Sequence, residues 1–331
     1  MAEPPIVEVR ELHKTFAVKH PGGVSTLRAL NGVNFDILRG ETLGLVGESG
    51  SGKTTAGRVL VGLIPATSGT VTLFGHSITG ADASAQLTAV RSRLQLVFQD
   101  PYASLNPRMR IGNAIAEPLD IQGFRSRRDR ADRVAELLEL VGLPKLSAER
   151  YPHEFSGGQR QRIVIARALA LNPEFVVCDE PVSALDVSMQ AQIVNLLLDL
   201  QDRLGLSYLF IAHDLAVVRA VSTRIAVMYA GAIVETAPKA ELYSNPQHPY
   251  SKALLDAVPR ADPSFVRPPV VAGEVPSLLD PPAGCRFHPR CAMAMDRCRV
   301  EIPRLRASGP NRSVACHLFD DAAIPYERET P

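Results

Sequence analysis

The stretch "TLGLVGESGSGKTT", residues 42–55, constrains the fold more than any other part of the chain. Its first half is a continuous apolar run, which is typical of a buried strand. Its second half fits the pattern G-x-x-x-x-G-K-[ST] with Gly47, Gly52, Lys53 and Thr54. Glycines in such a loop let backbone N–H groups turn toward phosphate oxygens, and the helix that follows adds the positive end of its dipole. The pattern therefore predicts a nucleotide site in which Lys53 contacts the β- and γ-phosphates and Thr54 ligates Mg²⁺.

Short apolar runs rich in β-branched residues recur along the chain up to about residue 245. Such runs suit strands that are buried on both faces of a parallel sheet. We predict strands over residues 42–47, 94–98, 174–179, 207–213 and 224–229. Helical patterns lie between them, most clearly over 127–143 and over 188–205, where Gly205 ends the second pattern. The alternation predicts an α/β fold with a layered architecture.

Two acidic residues, Asp179 and Glu180, follow the apolar run "EFVVC". In nucleotide hydrolases with a phosphate loop, an aspartate at such a strand end helps to hold the metal. Another residue must orient or deprotonate the attacking water. Successive side chains of a strand point to opposite faces, so Glu180 can face the γ-phosphate while Asp179 does not. We therefore expect Glu180 to be the catalytic base.

Four further motifs follow in a specific order. The stretch "HEFSGGQRQR" (153–162) resembles the signature sequence of ATP-binding cassette (ABC) ATPases, with Phe155 where many members carry leucine. Gln99 in "VFQDP" resembles the Q-loop residue of that family, "SALD" (183–186) its D-loop, and His213 its switch histidine. The ordered set identifies the chain as a member of the ABC ATPases. This membership implies a P-loop NTPase core with antiparallel β and helical subdomains.

The resemblance extends from residue 6 to about residue 240 and implies specific site residues. Catalytic roles fall to Glu180, His213 and Gln99, and Gln99 also joins Thr54 as a ligand of Mg²⁺. The implied contacts of ATP and Mg²⁺ are Phe16 (stacked on adenine), Gly47, Ser49, Gly50, Gly52, Lys53, Thr54, Thr55, Gln99 and Asp179. A second cassette would receive contacts in trans from Ser156, Gly157, Gly158 and Gln159, which open an apparent helix and so form a second anion site.

Two stretches narrow the class of ABC protein. Residues 99–119 and the segment "NPQHPYSKALLDAVP" (245–259) resemble ATPases of bacterial oligopeptide and dipeptide importers. The resemblance implies an ATP-hydrolysing motor subunit at the cytoplasmic face of the membrane. The alternatives are a soluble ABC ATPase that acts on nucleic acid or ribosomes, and an importer of nickel or another small solute. The chain holds one phosphate loop without a long insertion, which disfavours the DNA-repair, chromosome and translation classes.

The same resemblance implies the partners. We expect a second, homologous ABC subunit in a heterodimer, two transmembrane permease subunits and, indirectly, an extracytoplasmic substrate-binding protein. The charges nearly cancel, with 36 basic against 35 acidic residues, so we expect no nucleic acid. The N-terminus carries early acidic residues, so we do not expect a signal peptide. No uninterrupted apolar run reaches the roughly 18 residues that a membrane span requires.

The chain is expected to divide into two parts. Residues 1–245 would form the ATPase domain, with a helical subdomain at about 100–172, and residues 246–331 a C-terminal extension. Proline becomes frequent beyond residue 259, which indicates a linker. Four of the five cysteines lie in the extension, at Cys285, Cys291, Cys298 and Cys316.

Clustered cysteines in a reducing compartment more often bind metal than form disulfides. Zinc commonly uses C-x₂₋₄-C pairs, which are tighter than the spacings here, whereas iron–sulfur sites also occur with wide, irregular spacing. Some peptide-importer ATPases with a similar C-x₅-C-x₆-C tail hold a four-iron cluster. We therefore expect a [4Fe–4S] cluster, with Zn²⁺ as the alternative and His288 and His317 as substitute ligands. Cys178, in a predicted strand, should be a bystander.

Overall fold

The computed structural model describes residues 4–21, 23–123, 126–257, 274 and 276–322. The strands are β1 (Val7–His20), β2 (Gly23–Ile37), β3 (Thr42–Val46), β4 (Ser68–Leu73), β5 (His76–Ser77), β6 (Leu94–Val97), β7 (Phe175–Asp179), β8 (Ser207–Ile211), β9 (Arg224–Tyr229), β10 (Ala232–Pro238), β11 (Arg306–Gly309) and β12 (Arg312–Val314). The helices are α1 (Lys53–Leu60), α2 (Ala83–Val90), α3 (Pro101–Ser104), α4 (Ile111–Ile121), α5 (Arg127–Leu140), α6 (Gly157–Ala168), α7 (Val187–Leu204), α8 (Leu215–Val221), α9 (Lys239–Ser244) and α10 (Pro249–Asp256).

The larger sheet has eight strands in the order β11-β12-β10-β9-β3-β8-β7-β6. Five consecutive strands, β9, β3, β8, β7 and β6, run parallel, and every residue of β3, β7 and β8 is buried. All five predicted strands are therefore confirmed as members of one parallel array. The two clearest helical patterns are α5 and α7, and α7 ends at Gly205 with a left-handed φ of 66°.

The smaller sheet is antiparallel, in the order β2-β1-β4-β5. Its register sets Val7 of β1 opposite Ile37 of β2 on one side and opposite Leu73 of β4 on the other. The buried faces of these strands share a hydrophobic cluster with Leu43 and Leu45 of β3. This cluster fixes the antiparallel sheet against the parallel one, beside the loop that leaves β3.

Helices α3 to α6 follow β6 and pack on one another. Ile115 of α4, Leu137 of α5 and Ile163 of α6 are fully buried in a common apolar cluster that also includes Val97 of β6. The α/β fold with antiparallel and helical subdomains is thus confirmed. The domain boundaries at residues 100–172 and 245/246 stay a prediction.

The C-terminal extension joins the larger sheet. Strand β12 pairs with β10, with Val314 opposite Glu235, and β11 pairs with β12 at the sheet edge. Beneath this hairpin Glu235 is completely buried and forms an ion pair with buried Arg312 at 3.0 Å. The extension is therefore held by strand pairing and an internal charge pair, features that its sequence did not predict. The predicted linker beyond residue 259 lies mainly outside the described residues.

Among the described residues, no helix combines the length and the apolar character needed to span a bilayer.

Candidate functional site

The phosphate loop connects β3 to α1. Gly47 (φ 155°) and Gly52 (φ 104°) both have backbone conformations that other residues rarely adopt. A Cβ atom on Gly47 would lie 2.1 Å from the carbonyl oxygen of Met228, and one on Gly52 would lie 2.5 Å from that of Ala29. Only glycine fits at either position, because both obstacles are backbone atoms. The neighbouring Gly50 faces open space, so the outer side of the loop is accessible to a ligand.

Lys53 begins α1 and is only 5% exposed. Its Nζ donates hydrogen bonds to the carbonyl oxygens of Gly47 (2.8 Å) and Glu48 (2.9 Å) and to Ser51 Oγ (3.3 Å). Burial lowers the pKa of Lys53, and the nearby carboxylates of Glu180, Asp179 and Glu48 oppose that effect. In the described part of the chain Lys53 makes no direct ion pair, so its cation is held in place by the loop and can still pair with a phosphate.

Thr54 and Asp179 form the second contact between the loop and the sheet. Thr54 Oγ1 donates to Asp179 Oδ1 at 2.9 Å, from the second residue of α1 to the last residue of β7. Burial raises the pKa of Asp179, and the hydrogen bond from Thr54 opposes the increase. A hydroxyl and a carboxylate oxygen are hard donors of the kind that Mg²⁺ prefers. The two side chains therefore fit the predicted metal site.

The three predicted catalytic side chains meet at the carboxyl ends of β6, β7 and β8. Gln99 Nε2 donates to Glu180 Oε2 at 2.9 Å, and His213 Nδ1 lies 3.5 Å from the same oxygen. Glu180 has a left-handed φ of 48°, and its N–H donates to the carbonyl of Ile211 at 2.9 Å. A left-handed conformation in a non-glycine residue is unfavourable and is found preferentially at functional sites. The structure thus brings Gln99, Glu180 and His213 together.

The signature segment begins α6 at an exposed position. Ser156 is the N-cap residue: its Oγ accepts from the N–H of Gln159 at 3.3 Å, and Gln159 Oε1 accepts from the N–H of Ser156 at 3.0 Å. This reciprocal pair is a capping box, which leaves the N–H groups of Gly157 and Gly158 for an external acceptor. Within the described residues, no hydrogen bond joins this helix start to the phosphate loop.

The remaining predicted contacts are Phe16, Ser49 and Thr55. Phe16 is half-buried in β1, where it pairs with Leu27, and Lys14 Nζ lies 4.8 Å from the centre of its ring. Ser49 lies on the exposed turn of the loop, and Thr55 is the third residue of α1. The functional roles of all these residues stay predictions.

The four cysteines of the extension surround one small cavity. Cys285, Cys291, Cys298 and Cys316 line it together with His288 and His317, and its volume is about 10 Å³. All four cysteines are free thiols. Burial raises the pKa of Cys285, Cys291 and Cys316. Across the ranges that the structure describes, no group of three or more His, Cys, Asp or Glu side chains is arranged to hold a metal ion. The predicted ligands are neighbours but do not converge on one point. Cys178 lies buried in β7, away from this cavity.

Three residues at the site escaped the sequence analysis. Glu48 of the phosphate loop accepts two hydrogen bonds from Arg290, and its N–H donates to the phenol oxygen of Tyr250. Arg290 lies between two of the clustered cysteines, and Tyr250 is part of the His-Pro-Tyr segment. Nothing in the local sequence pairs these residues, since they are separated by about 200 positions or more along the chain.

Comparisons with known proteins identify the family of the chain. A family profile described as "ABC transporter" matches residues 30–183, and one described as "Oligopeptide/dipeptide transporter, C-terminal region" matches residues 234–298. A putative peptide import ATP-binding protein of Brucella abortus (strain 2308) is 64% identical over 316 residues, which cover 95% of this chain and 94% of the relative. Another, from Brucella ovis, is 50% identical over 317 residues, which cover 96% of this chain and 98% of the relative.

Solved structures of ABC proteins also align with this chain. A dimeric ATP-binding cassette in a post-hydrolysis state, bound to ADP and Pi, aligns with a TM-score of 0.63 and 30% identity over 70% of this chain and 98% of that one. The protein cbiO1 from Clostridium perfringens, part of the ABC transporter complex cbiONQ, aligns with a TM-score of 0.63 and 25% identity over 73% of this chain and 92% of that one. The chain therefore belongs to the ATP-binding proteins of ABC transporters: it is an ABC ATPase that carries the C-terminal region of the oligopeptide and dipeptide transporters.

Proposed function

We propose that the chain is the ATP-hydrolysing motor subunit of an importer for oligopeptides or dipeptides. The convergence of Gln99, Glu180 and His213 beside the phosphate loop is the observation that carries the hydrolytic part of this proposal. Glu180 would take a proton from the attacking water, and His213 would donate a hydrogen bond to the γ-phosphate. Lys53 would pair with the β- and γ-phosphates through the cation that the loop carbonyls now hold.

Mg²⁺ would be held by Thr54 and Gln99, with Asp179 behind Thr54, and would neutralise negative charge on the β- and γ-phosphate oxygens. Phe16 would stack on the adenine, while the loop residues from Gly47 to Thr55 would surround the phosphates. The support for these assignments is the geometry around Thr54, whose hydroxyl already contacts the Asp179 carboxylate.

The ATP site requires a second cassette. Ser156 is exposed at the start of α6, and no hydrogen bond in the described part of the chain links residues 156–159 to the phosphate loop. They would complete the ATP site of a partner subunit, and the partner's signature would complete the site at Lys53. A relative of known structure is itself a cassette dimer. We expect the partner here to be a second, related ABC subunit in a heterodimer.

An apolar cleft lies between the parallel sheet and the helical subdomain. It has a volume of about 290 Å³, and exposed Leu63, Phe98 and Ile121 lie on its lining together with the Glu117–Arg167 ion pair. Phe98 directly precedes Gln99, so the cleft adjoins the hydrolytic site. A short cytoplasmic helix of a permease subunit, apolar with a polar end, would suit this cleft. Two permeases would place the chain at the cytoplasmic face of the membrane.

Peptides are the proposed substrate because the relatives are named for peptide import and the C-terminal profile is that of oligopeptide and dipeptide transporters. A binding protein outside the membrane would select them. The test is uptake: a strain that lacks this chain should lose uptake of labelled peptides, and the wild-type chain should restore it while Lys53→Ala should not. Loss of nickel uptake with intact peptide uptake would contradict the substrate. Sedimentation with ribosomes in place of membrane permeases would contradict the importer itself.

We further propose that Cys285, Cys291, Cys298 and Cys316 hold a metal group, with a [4Fe–4S] cluster preferred over Zn²⁺. Four soft thiols around one cavity are suitable donors for either group. A cavity of about 10 Å³ has room for roughly one water molecule, so the loops would have to spread around a cluster. A single zinc ion would instead require the thiols to draw together, since no described group is arranged to hold an ion.

Elemental analysis of the anaerobically purified full-length chain distinguishes these outcomes. A cluster predicts a brown preparation with iron and sulfide in equal amounts, and both should fall sharply in Cys298→Ser. Cys178→Ser is the matched control and should keep the full metal content, because that thiol is buried in β7. A colourless preparation with stoichiometric zinc would show that the bound metal is zinc and not iron. A chain without bound metal would end this part of the proposal.

A further inference from the structure

All three polar groups of Glu48, the second residue of the phosphate loop, are engaged. Its N–H donates to the phenol oxygen of Tyr250 at 2.9 Å. Its carbonyl oxygen accepts from Lys53 Nζ at 2.9 Å. Its carboxylate accepts from Arg290, with Nη1 at 2.8 Å from Oε2 and Nη2 at 3.1 Å from Oε1. One loop residue is therefore bonded at once to the phosphate-binding lysine and to the C-terminal part of the chain.

The contact between Arg290 and Glu48 is of a strong kind. The guanidinium meets the carboxylate through two parallel hydrogen bonds, a geometry that fixes both direction and distance. The Arg290 side chain is 7% exposed and that of Glu48 29%, so water screens the pair only in part. Arg290 has a second hydrogen-bond partner, since its Nη1 also lies 3.3 Å from the Tyr229 phenol oxygen.

The position of Glu48 creates an electrostatic problem for ATP. Its carboxylate is close enough to Lys53 to contribute to the pKa of that amine, and a negative charge there also repels a polyphosphate. Arg290 supplies the compensating positive charge from the extension. The same bonds fix the Glu48 backbone, whose carbonyl holds the Lys53 amine.

We propose that Arg290 is a positioning residue for ATP binding: it neutralises the Glu48 carboxylate and holds the phosphate loop, and through it Lys53, in the arrangement that receives the phosphates. This inference rests on the proposed ATP site. It gives the cysteine-bearing extension a direct link to nucleotide affinity, since Arg290 directly precedes Cys291.

The test is the dissociation constant of the purified full-length chain for a fluorescent ATP analogue with Mg²⁺. Arg290→Gln should weaken binding about tenfold, a typical loss for a charge-assisted hydrogen-bonded pair. Arg290→Lys should recover part of the loss, because it keeps the charge without the two-pronged geometry. The double variant Glu48→Gln/Arg290→Gln should bind more tightly than Arg290→Gln alone, because the uncompensated charge is gone. Arg299→Gln, the same change on an exposed arginine of the extension, is the matched control.

Two results would overturn the inference. One is an Arg290→Gln chain that binds ATP as well as Arg299→Gln does. The other is a loss that the double variant does not reverse, accompanied by a lowered melting temperature, which would make Arg290 a purely structural residue. Lys53→Ala separates this inference from the proposed ATP site: undiminished binding in that variant would refute the site itself, whatever Arg290 does.

Discussion

Replacing Glu180 with glutamine separates the chemistry of hydrolysis from the binding of ATP. The amide has nearly the same shape as the carboxylate, and its oxygen can still accept the hydrogen bond from Gln99 Nε2, now 2.9 Å. The side chain loses its negative charge and its capacity to accept a proton. We therefore expect the variant to fold normally and to bind ATP at least as tightly as wild type, because a carboxylate that faces the γ-phosphate has been neutralised.

The expected loss of turnover follows from the role of a general base. A positioned base contributes about 10²- to 10⁴-fold to a rate. At about 1.36 kcal/mol for each factor of ten, that loss corresponds to roughly 3–5 kcal/mol of transition-state stabilisation. The assay is phosphate release at saturating MgATP by the full-length chain, measured alone and in the membrane complex, with nucleotide binding measured in parallel.

Glu174→Gln is the matched control, since Glu174 directly precedes the same strand β7 at its other end. Its carboxylate pairs with Arg93 and, at 2.7 Å, with Arg39, and these partly exposed contacts contribute only modestly to stability. This variant should keep turnover within about twofold of wild type, because it loses only surface charge pairs of small stability and lies at the other end of β7 from Glu180. If Glu180→Gln hydrolysed ATP as fast as Glu174→Gln does, Glu180 would not be the base, and the convergence with Gln99 and His213 would need another explanation.

Three further predictions concern separate parts of the chain. Ser156→Asp should keep the cap of α6, because aspartate caps a helix as well as serine does. It should abolish ATP-dependent cassette association, because it places a negative charge against the phosphate bound by the partner; light scattering with and without ATP measures this association. Arg312→Met should lower the free energy of unfolding by about 3–5 kcal/mol, because it leaves buried Glu235 without a counter-charge. Arg306→Met on the neighbouring strand, where the side chain is exposed, should lower it by less than ~1 kcal/mol. Urea unfolding gives both values. Cys178 should resist thiol reagents in the native chain at pH 8, since burial raises its pKa and closes access, and mass spectrometry should detect its modification only after unfolding.

The residues of the proposed ATP site could be predicted from the sequence because the expected chemistry restricts them locally. Gly47 and Gly52 approach other backbone atoms so closely that no side chain fits, which leaves a fixed spacing in the sequence. Lys53 and Thr54 follow Gly52 directly, because they begin the helix whose N-terminus would face the phosphates. The strands were predictable for a similar reason: β3, β7 and β8 are buried throughout, so each appears as an apolar run.

The extension was harder to predict because its order comes from contacts between distant residues. Strands β11 and β12 have four and three residues, too few for a periodic pattern, and they form against β10 of the main sheet. Phe287, between two of the cysteines, is buried and packs its ring against Tyr229 and Tyr250 at 5.2 and 5.5 Å. The tail does not need a core of its own for this packing. In the structure the tail packs against the apolar surface of the ATPase core.

The strand order explains why the predicted catalytic residues converge. Gln99, Glu180 and His213 are far apart in sequence, but each follows the carboxyl end of one of three adjacent parallel strands, β6, β7 and β8. Parallel neighbours end at the same edge of a sheet, so the strand order itself brings the three side chains within contact distance. Glu48 lies at the end of β3, the next strand in that array, and so Arg290 reaches the same edge from the extension. The edge that assembles the hydrolytic residues is therefore also the place where the C-terminal extension can act on nucleotide binding.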